Sequence, residues 1–182
     1  MSNLAQNTSL IPKVVEVAKR FIGEKETGNN AGFADLAFQK EMQTSGFMRG
    51  MSWCALFVET VFRIALLEEK RPALWKNIEN LFSASAIETL TRFKEKGYTV
   101  RQTPQVGDLA IWRHGPGPAG HIGIVVDAGN QKLKTFTTIE GNTNLAGSRE
   151  GDGVFLKTRT YGSPISNKPG TFNLLGFVAP VS

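Results

Sequence analysis

The stretch Ser52 to Glu68, SWCALFVETVFRIALLE, decides how the rest of the chain is read. Ala55, Val58, Phe62 and Ala65 fall on one helical stripe, and Cys54, Phe57 and Val61 fill the gaps beside it. The predicted helix is therefore apolar over much of its surface. A helix of that kind belongs at the centre of a domain, walled on several sides. Its first turn carries Cys54, the single cysteine among 182 residues.

Outward from that helix, the two halves of the chain differ in period. On the N-terminal side Val14, Val15, Ala18, Phe21 and Ile22 recur at helical spacing, with Ser9 as a cap, Pro12 in the first turn and Gly23 as a stop. A second helix is predicted over Phe33 to Met42. Ser85 and Glu88 stand at capping-box spacing before Ile87, Leu90 and Phe93, and Gly97 offers an end, so a further helix follows. From Tyr98 onward the pattern breaks into short runs: Leu109 to Trp112, His121 to Val126, Leu133 to Glu140, Val154 to Arg159 and Leu174 to Val178. Asp127-Ala128-Gly129-Asn130 reads as the turn of a hairpin between the second and third of these. Gly115-Pro116-Gly117-Pro118-Ala119-Gly120 is too short for a linker and reads as a loop beside a cleft. Helices followed by strands predict an α+β domain, with N-terminal helices packed on an antiparallel sheet of about five to six strands. One domain is expected over residues 1–182, with 1–32 as an N-terminal helical extension and 33–182 as the core.

Composition narrows the function classes. Hydrophobic residues make up 41% and charged residues 20%, ordinary globular usage that excludes a disordered or fibrous chain. One cysteine rules out an internal disulfide, and with two histidines a structural Cys/His zinc cluster cannot be assembled. The net charge of +5 suits an anionic partner such as cell-wall polymer, nucleic acid or a membrane surface, but Lys and Arg are scattered and no nucleic-acid module with interleaved aromatics is present. No apolar stretch approaches the roughly 18 residues of a membrane span, and Met1 to Asn7 has no signal-peptide pattern.

The chemistry concentrates in a few positions. A cysteine nucleophile needs its thiol ionised, and the unpaired N–H groups and dipole at a helix start favour that charge, as does a nearby imidazole. Cys54 meets the first condition, although a lone cysteine in an apolar helix also reads as core filling. The base must be His114 or His121, on either side of the Gly/Pro loop. His121 is preferred because it opens an apolar strand, where His121, Gly123 and Val125 share one face and a rigid element holds the ring. Small Gly120 and Gly123 let a helix or a substrate backbone approach it. An imidazole of this kind needs a third group to fix its tautomer, and Glu140-Gly141-Asn142 supplies a carboxylate and an amide, two apart and so on one strand face. The same triplet also reads as a strand-ending turn. Trp53 and Trp112 are the aromatic candidates for contacting substrate, with core packing as the alternative for Trp53.

Taken in series, Trp53-Cys54-Ala55-Leu56-Phe57-Val58, Val106-Gly107-Asp108-Leu109-Ala110, Gly120-His121-Ile122-Gly123-Ile124-Val125 and Glu140-Gly141-Asn142 resemble the CHAP family of cysteine amidases and peptidases, relatives of the NlpC/P60 group. The resemblance covers roughly Phe33 to Val178 and implies a papain-like fold. It implies that Cys54 attacks a peptidoglycan amide and that His121 is the base. It also implies that Glu140 and Asn142 complete the site, either of them orienting the histidine, and that backbone N–H groups at the start of the cysteine helix hold the oxyanion. Some relatives bind calcium through an acidic N-terminal loop, but Asn29, Asn30 and Asp35 do not form a dense carboxylate set, so neither a metal nor another cofactor is expected.

The implied activity is hydrolysis of a cell-wall amide, either between muramic acid and L-alanine or within a stem or cross-bridge peptide. The rival readings are a catalytically inactive wall-binding module and a cysteine peptidase acting on protein. The expected partners are peptidoglycan and a cognate immunity or inhibitor protein, with no nucleic acid, no membrane insertion and a monomeric state. Synthesis in the cytoplasm without a signal peptide, followed by action at the wall or in the periplasm, points to a phage lysis route (an endolysin) or to specialised secretion (an antibacterial toxin).

Overall fold

The computed structural model describes residues 10–144 and 151–181. Its helices are α1 (Leu10–Arg20), α2 (Leu36–Thr44), α3 (Cys54–Glu68), α4 (Pro72–Ile78) and α5 (Ala86–Glu95), with a 3-10 turn at Glu79–Leu81. The strands are β1 (Val100–Arg101), β2 (Leu109–His114), β3 (Gly120–Asn130), β4 (Thr135–Thr143), β5 (Gly153–Thr160) and β6 (Phe172–Val178). They form one antiparallel sheet in the order β1-β6-β2-β3-β4-β5. The architecture is the α+β arrangement expected from the switch in period, with helices first and sheet second. Among the described residues no helix is long and apolar enough to cross a membrane.

The apolar surface of α3 explains its place. Ala55, Leu56, Phe57, Val58, Val61, Phe62, Ala65 and Leu66 are all buried, and the helix packs against α1, α2 and α4 as well as β3 and β4. Thr60, the polar residue in that run, is buried and satisfied by donating its hydroxyl to Ser45 Oγ at 2.9 Å. The sheet carries a core on each face. Leu109, Ile111, Ile122, Ile124, Ile139 and Val178 join the helices in the larger cluster. On the other face Ala110, Trp112, Val125, Phe136, Tyr161 and Phe177 form a smaller one. This division follows the period of two along each strand.

The structure corrects several expectations. The helix of the expected N-terminal extension is part of the main core: α1 buries Leu10, Val14, Val17 and Ala18 there. The chain after it is tied to β5 through Gly23 N–H to Val154 O, at 3.0 Å, and a bridge between Lys25 and Gly153. The expected cap Ser9 lies outside the described residues. Asp127 to Asn130 is not the hairpin turn. It is an irregular, still paired end of β3, with register shifts on either side of Asp127. The reversal falls on Gln131 to Lys134, where Asn130 Oδ1 accepts from Lys132 N–H and Leu133 N–H. Two short elements, α4 and β1, carry too few residues to show a period. Ser85 caps α5 where the spacing predicts, its Oγ accepting from Glu88 N–H at 3.3 Å, but the reciprocal half of a capping box is not made, since Ser85 N–H donates to Ser83 Oγ and Glu88 Oε1 accepts from Arg92.

Contact between α3 and β4 depends on one missing side chain. A Cβ on Gly141 would lie 2.7 Å from Phe57 Cβ and from Trp53 Cζ3. Gly141→Ala is therefore expected to destabilise the protein by about 1–3 kcal/mol through overpacking, measured by urea unfolding. Leu133→Ser, at an exposed turn residue, is expected to shift the same measurement by no more than about 0.5 kcal/mol.

Candidate active site

Cys54 is the first residue of α3, preceded by Trp53 as a cap residue whose side chain makes no capping bond. The N–H groups of a first turn have no intrahelical partners, and with the helix dipole they favour negative charge beside the sulfur. Cys54 retains 6% of its surface exposure, and its sulfur lies close enough to His121 to act on the ring's charge.

His121 lies on β3 opposite Trp112 of β2 and is 8% exposed. Its Nε2 is 2.8 Å from Glu140 Oε2, which leaves Nδ1 for the sulfur. The β3–β4 ladder runs from Ile124↔Ile139 to Asn130↔Thr135, so His121 and Glu140 sit at its open end. There the carboxylate reaches the ring from the neighbouring strand. Gly123 provides the room, since a Cβ at that position would lie 2.6 Å from Glu140 Cγ.

Glu140 is fully buried and richly bonded. Thr138 Oγ1 donates to its Oε1 at 2.6 Å, Arg159 Nε donates to Oε1 at 2.8 Å, and Arg159 Nη2 donates to Oε2 at 2.5 Å. Burial pushes the carboxyl pKa up, but the hydrogen bonds and charges of Arg159 and His121 outweigh it and hold the group down to about 2. For His121, burial opposes the charged ring, while hydrogen bonding and Coulombic attraction from Cys54, and then from Glu140, raise it to about 10. The imidazole is thus a cation at neutral pH, set between a sulfur and a carboxylate.

The two candidates for orienting the histidine separate here. Glu140 does so. Asn142 adopts φ 52°, beyond a register shift in β4, and its amide is engaged elsewhere. With its carboxamide oriented so that each end meets a complementary group, Asn142 accepts from Trp53 N–H at 3.2 Å and donates to Gly151 O at 2.9 Å. It anchors the backbone immediately before Cys54.

The two tryptophans do not wall a cleft. Trp53 is fully buried, edge-on to Phe33, and its indole N–H donates to Glu26 Oε2 at 3.0 Å. Trp112 is sealed between Phe136 and Phe172, stacked on both. Each had a large apolar surface that the core claimed first. His114 ends β2, tilted against Phe172. A groove of about 690 Å³ runs past His114, the Gly115–Ala119 loop, His121, Asn142, Arg159 and Phe172. Cys54 does not line it and meets it through the imidazole. Among the described residues no three His, Cys, Asp or Glu side chains gather as a metal-ligand set.

Sequence reasoning missed Arg159 and Thr138. Phe155, Lys157 and Arg159 alternate with exposed residues on β5, and a basic residue in such a strand reads as solvent-facing. Only its neighbour across the sheet marks Arg159 as part of a buried site.

A model of the CHAP domain matches residues 46–142, more than half of the chain, and that stretch includes Cys54, His121, Glu140 and Asn142 but not Arg159. No curated protein matches the chain.

The coupled pair sets a pH dependence. His121, raised from 6.5 to about 10, contributes stability that is complete below its ordinary pKa and lost as pH rises through about 10. Glu140, lowered from 4.5 to about 2, contributes stability that is complete above its ordinary pKa and lost as pH falls through about 2. The urea midpoint is expected to hold best between these ordinary values and to fall on both sides. Glu140→Gln should remove the acid decline and only weaken the alkaline one, which Cys54 also supports, and an acid limb unchanged in that variant would contradict the pairing.

Proposed function

The chain belongs to the CHAP domain family, whose members are generally amidases or peptidases, and on that premise we propose that it hydrolyses an amide bond of peptidoglycan through a cysteine acyl-enzyme. The observation that carries this reading is the imidazole of His121, set beside Cys54 and bonded through its Nε2 to buried Glu140. A cysteine at the start of a helix, facing an imidazolium whose far nitrogen is fixed by a carboxylate, is the arrangement that activates a thiol for acyl transfer.

In this reaction the Cys54 sulfur adds to the amide carbonyl, and the electron pair of the C=O moves onto oxygen. The first-turn N–H groups of α3, which no side chain caps, supply donors for that oxyanion. The tetrahedral intermediate collapses with cleavage of the C–N bond, and the proton on His121 passes to the departing amine. Water, deprotonated by the now neutral ring, then adds to the thioester. Its collapse releases the carboxylic acid, and the proton on His121 restores the starting ion pair. Glu140 acts through His121 by keeping one tautomer and stabilising the cation. Asn142 acts through the backbone of Trp53 and holds the sulfur in register with the ring. The groove beside His121 and Asn142 is where the scissile bond would lie, with backbone and glycine of the Gly115–Ala119 loop able to accept an extended peptide.

Purified cell walls incubated with the protein should release soluble fragments with new amino groups, and mass spectrometry of the digest identifies the bond. Cys54→Ala is expected to lower the rate by at least about 10⁴-fold, and His121→Ala by about 10²–10⁴-fold, with folding retained. His114→Ala should be much milder, because His114 borders the groove without touching the reacting atoms. Walls left intact by the wild-type protein, or a fully active Cys54→Ala variant, would overturn the reading. Cleavage of a protein substrate with walls untouched would assign the same chemistry to a peptidase.

A further inference from the structure

We propose that Arg159 is a positioning residue for this site: from β5 it grips both oxygens of Glu140, so that the buried carboxylate stays ionised and aimed at His121. The inference rests on Cys54 and His121 being the reacting pair, and it concerns a residue outside the CHAP match.

The geometry is specific. Nε and Nη2 of Arg159 address different oxygens of one carboxylate, at 2.8 and 2.5 Å, the side-on fork that guanidinium makes and an ammonium cannot. The guanidinium is itself fixed, with its carbon 5.5 Å from the centre of the Trp112 ring and 5.0 Å from that of Phe172, two rings stacked on each other. Its side chain keeps 21% exposure where it borders the groove, while Glu140 keeps none. Lys157, two residues earlier on the same strand, cannot substitute, because its Nζ is engaged by Asn144 O at 2.6 Å.

The electrostatic need is as clear. Among the described residues the charged groups bonded to Glu140 are His121 from β3 and Arg159 from β5, with Cys54 of α3 beside the ring and His114 of β2 on the groove that His121 and Arg159 border. From β4 itself come the neutral Thr138 and Asn142. A carboxylate sealed from water takes up a proton unless opposite charge lies close by. Were His121 its only cationic neighbour, the shared proton could pass to the carboxyl and leave a neutral ring beside the thiol. Arg159 prevents this with a charge that cannot be given up, since guanidinium stays protonated throughout. Imidazolium, carboxylate and guanidinium then form a row of alternating sign beside the sulfur.

The test follows the Glu140 carboxyl directly by carbon-13 NMR titration of the intact protein, with the signal assigned from its loss in Glu140→Gln. In Arg159→Gln the carboxyl midpoint is expected to rise by about one to three pH units, and the acid limb of kcat/KM on cell walls to rise with it. A merely structural role would lower activity at every pH and leave the limb in place. Arg159→Lys keeps the charge and loses the fork, so it should show a rise of less than about one unit, with kcat reduced and KM unchanged. Should the glutamine variant not fold, the lysine variant decides: an unmoved midpoint with full kcat overturns the proposal. An unmoved midpoint in a folded glutamine variant overturns it as well. The titration requires no hydrolysis, so a shifted midpoint in a protein that leaves walls intact would remove the proposed function and keep this role. Digested walls with unmoved midpoints would do the reverse.

Discussion

Glu140 holds a negative charge with no contact with water, and the site is arranged around that fact. A buried carboxylate is costly unless charge and hydrogen bonds surround it. Here one imidazole, one hydroxyl and two guanidinium N–H groups do so. The consequence reaches the sulfur. With its Nε2 held against the carboxylate, the His121 ring carries its proton at neutral pH and presents its other nitrogen to Cys54.

Secondary structure places those groups with little freedom. Cys54 is fixed because α3 is clamped on several sides, and Gly141 lets β4 close against Phe57 and Trp53 at the start of that helix. His121 and Glu140 are fixed because they sit at the end of a hairpin ladder whose other residues fill the two cores. Asn142 joins the two systems by bonding the Trp53 backbone from the end of β4.

The smaller core serves the site as well as the sheet. Trp112 and Phe172 support the guanidinium of Arg159, and Trp112 also lies beside the His121 ring. Aromatic residues that could have faced a substrate are used instead to hold a cation in place. The open surface is left to the Gly115–Ala119 loop, His114 and the strand ends, which line the groove with few large side chains.

Much of this was legible in the order of residues. The period of the apolar positions separated helices from strands, the continuous apolar surface of residues 54–66 made α3 central, and the capping pair at Ser85 and Glu88 located the start of α5. Four short motifs in series brought Cys54, His121, Glu140 and Asn142 forward together. Tertiary structure alone decided that Glu140 and not Asn142 meets the ring, that Trp53 and Trp112 are sealed, that α1 belongs to the main core, and that Arg159 completes the charge row. The physical reason is the same in each case. Local pattern fixes which face of an element a side chain occupies, whereas hydrogen-bond partners, burial and the sharing of charge arise between segments far apart in the chain. The left-handed turn at Asn142 and the pairing of β4 with β5 set them here.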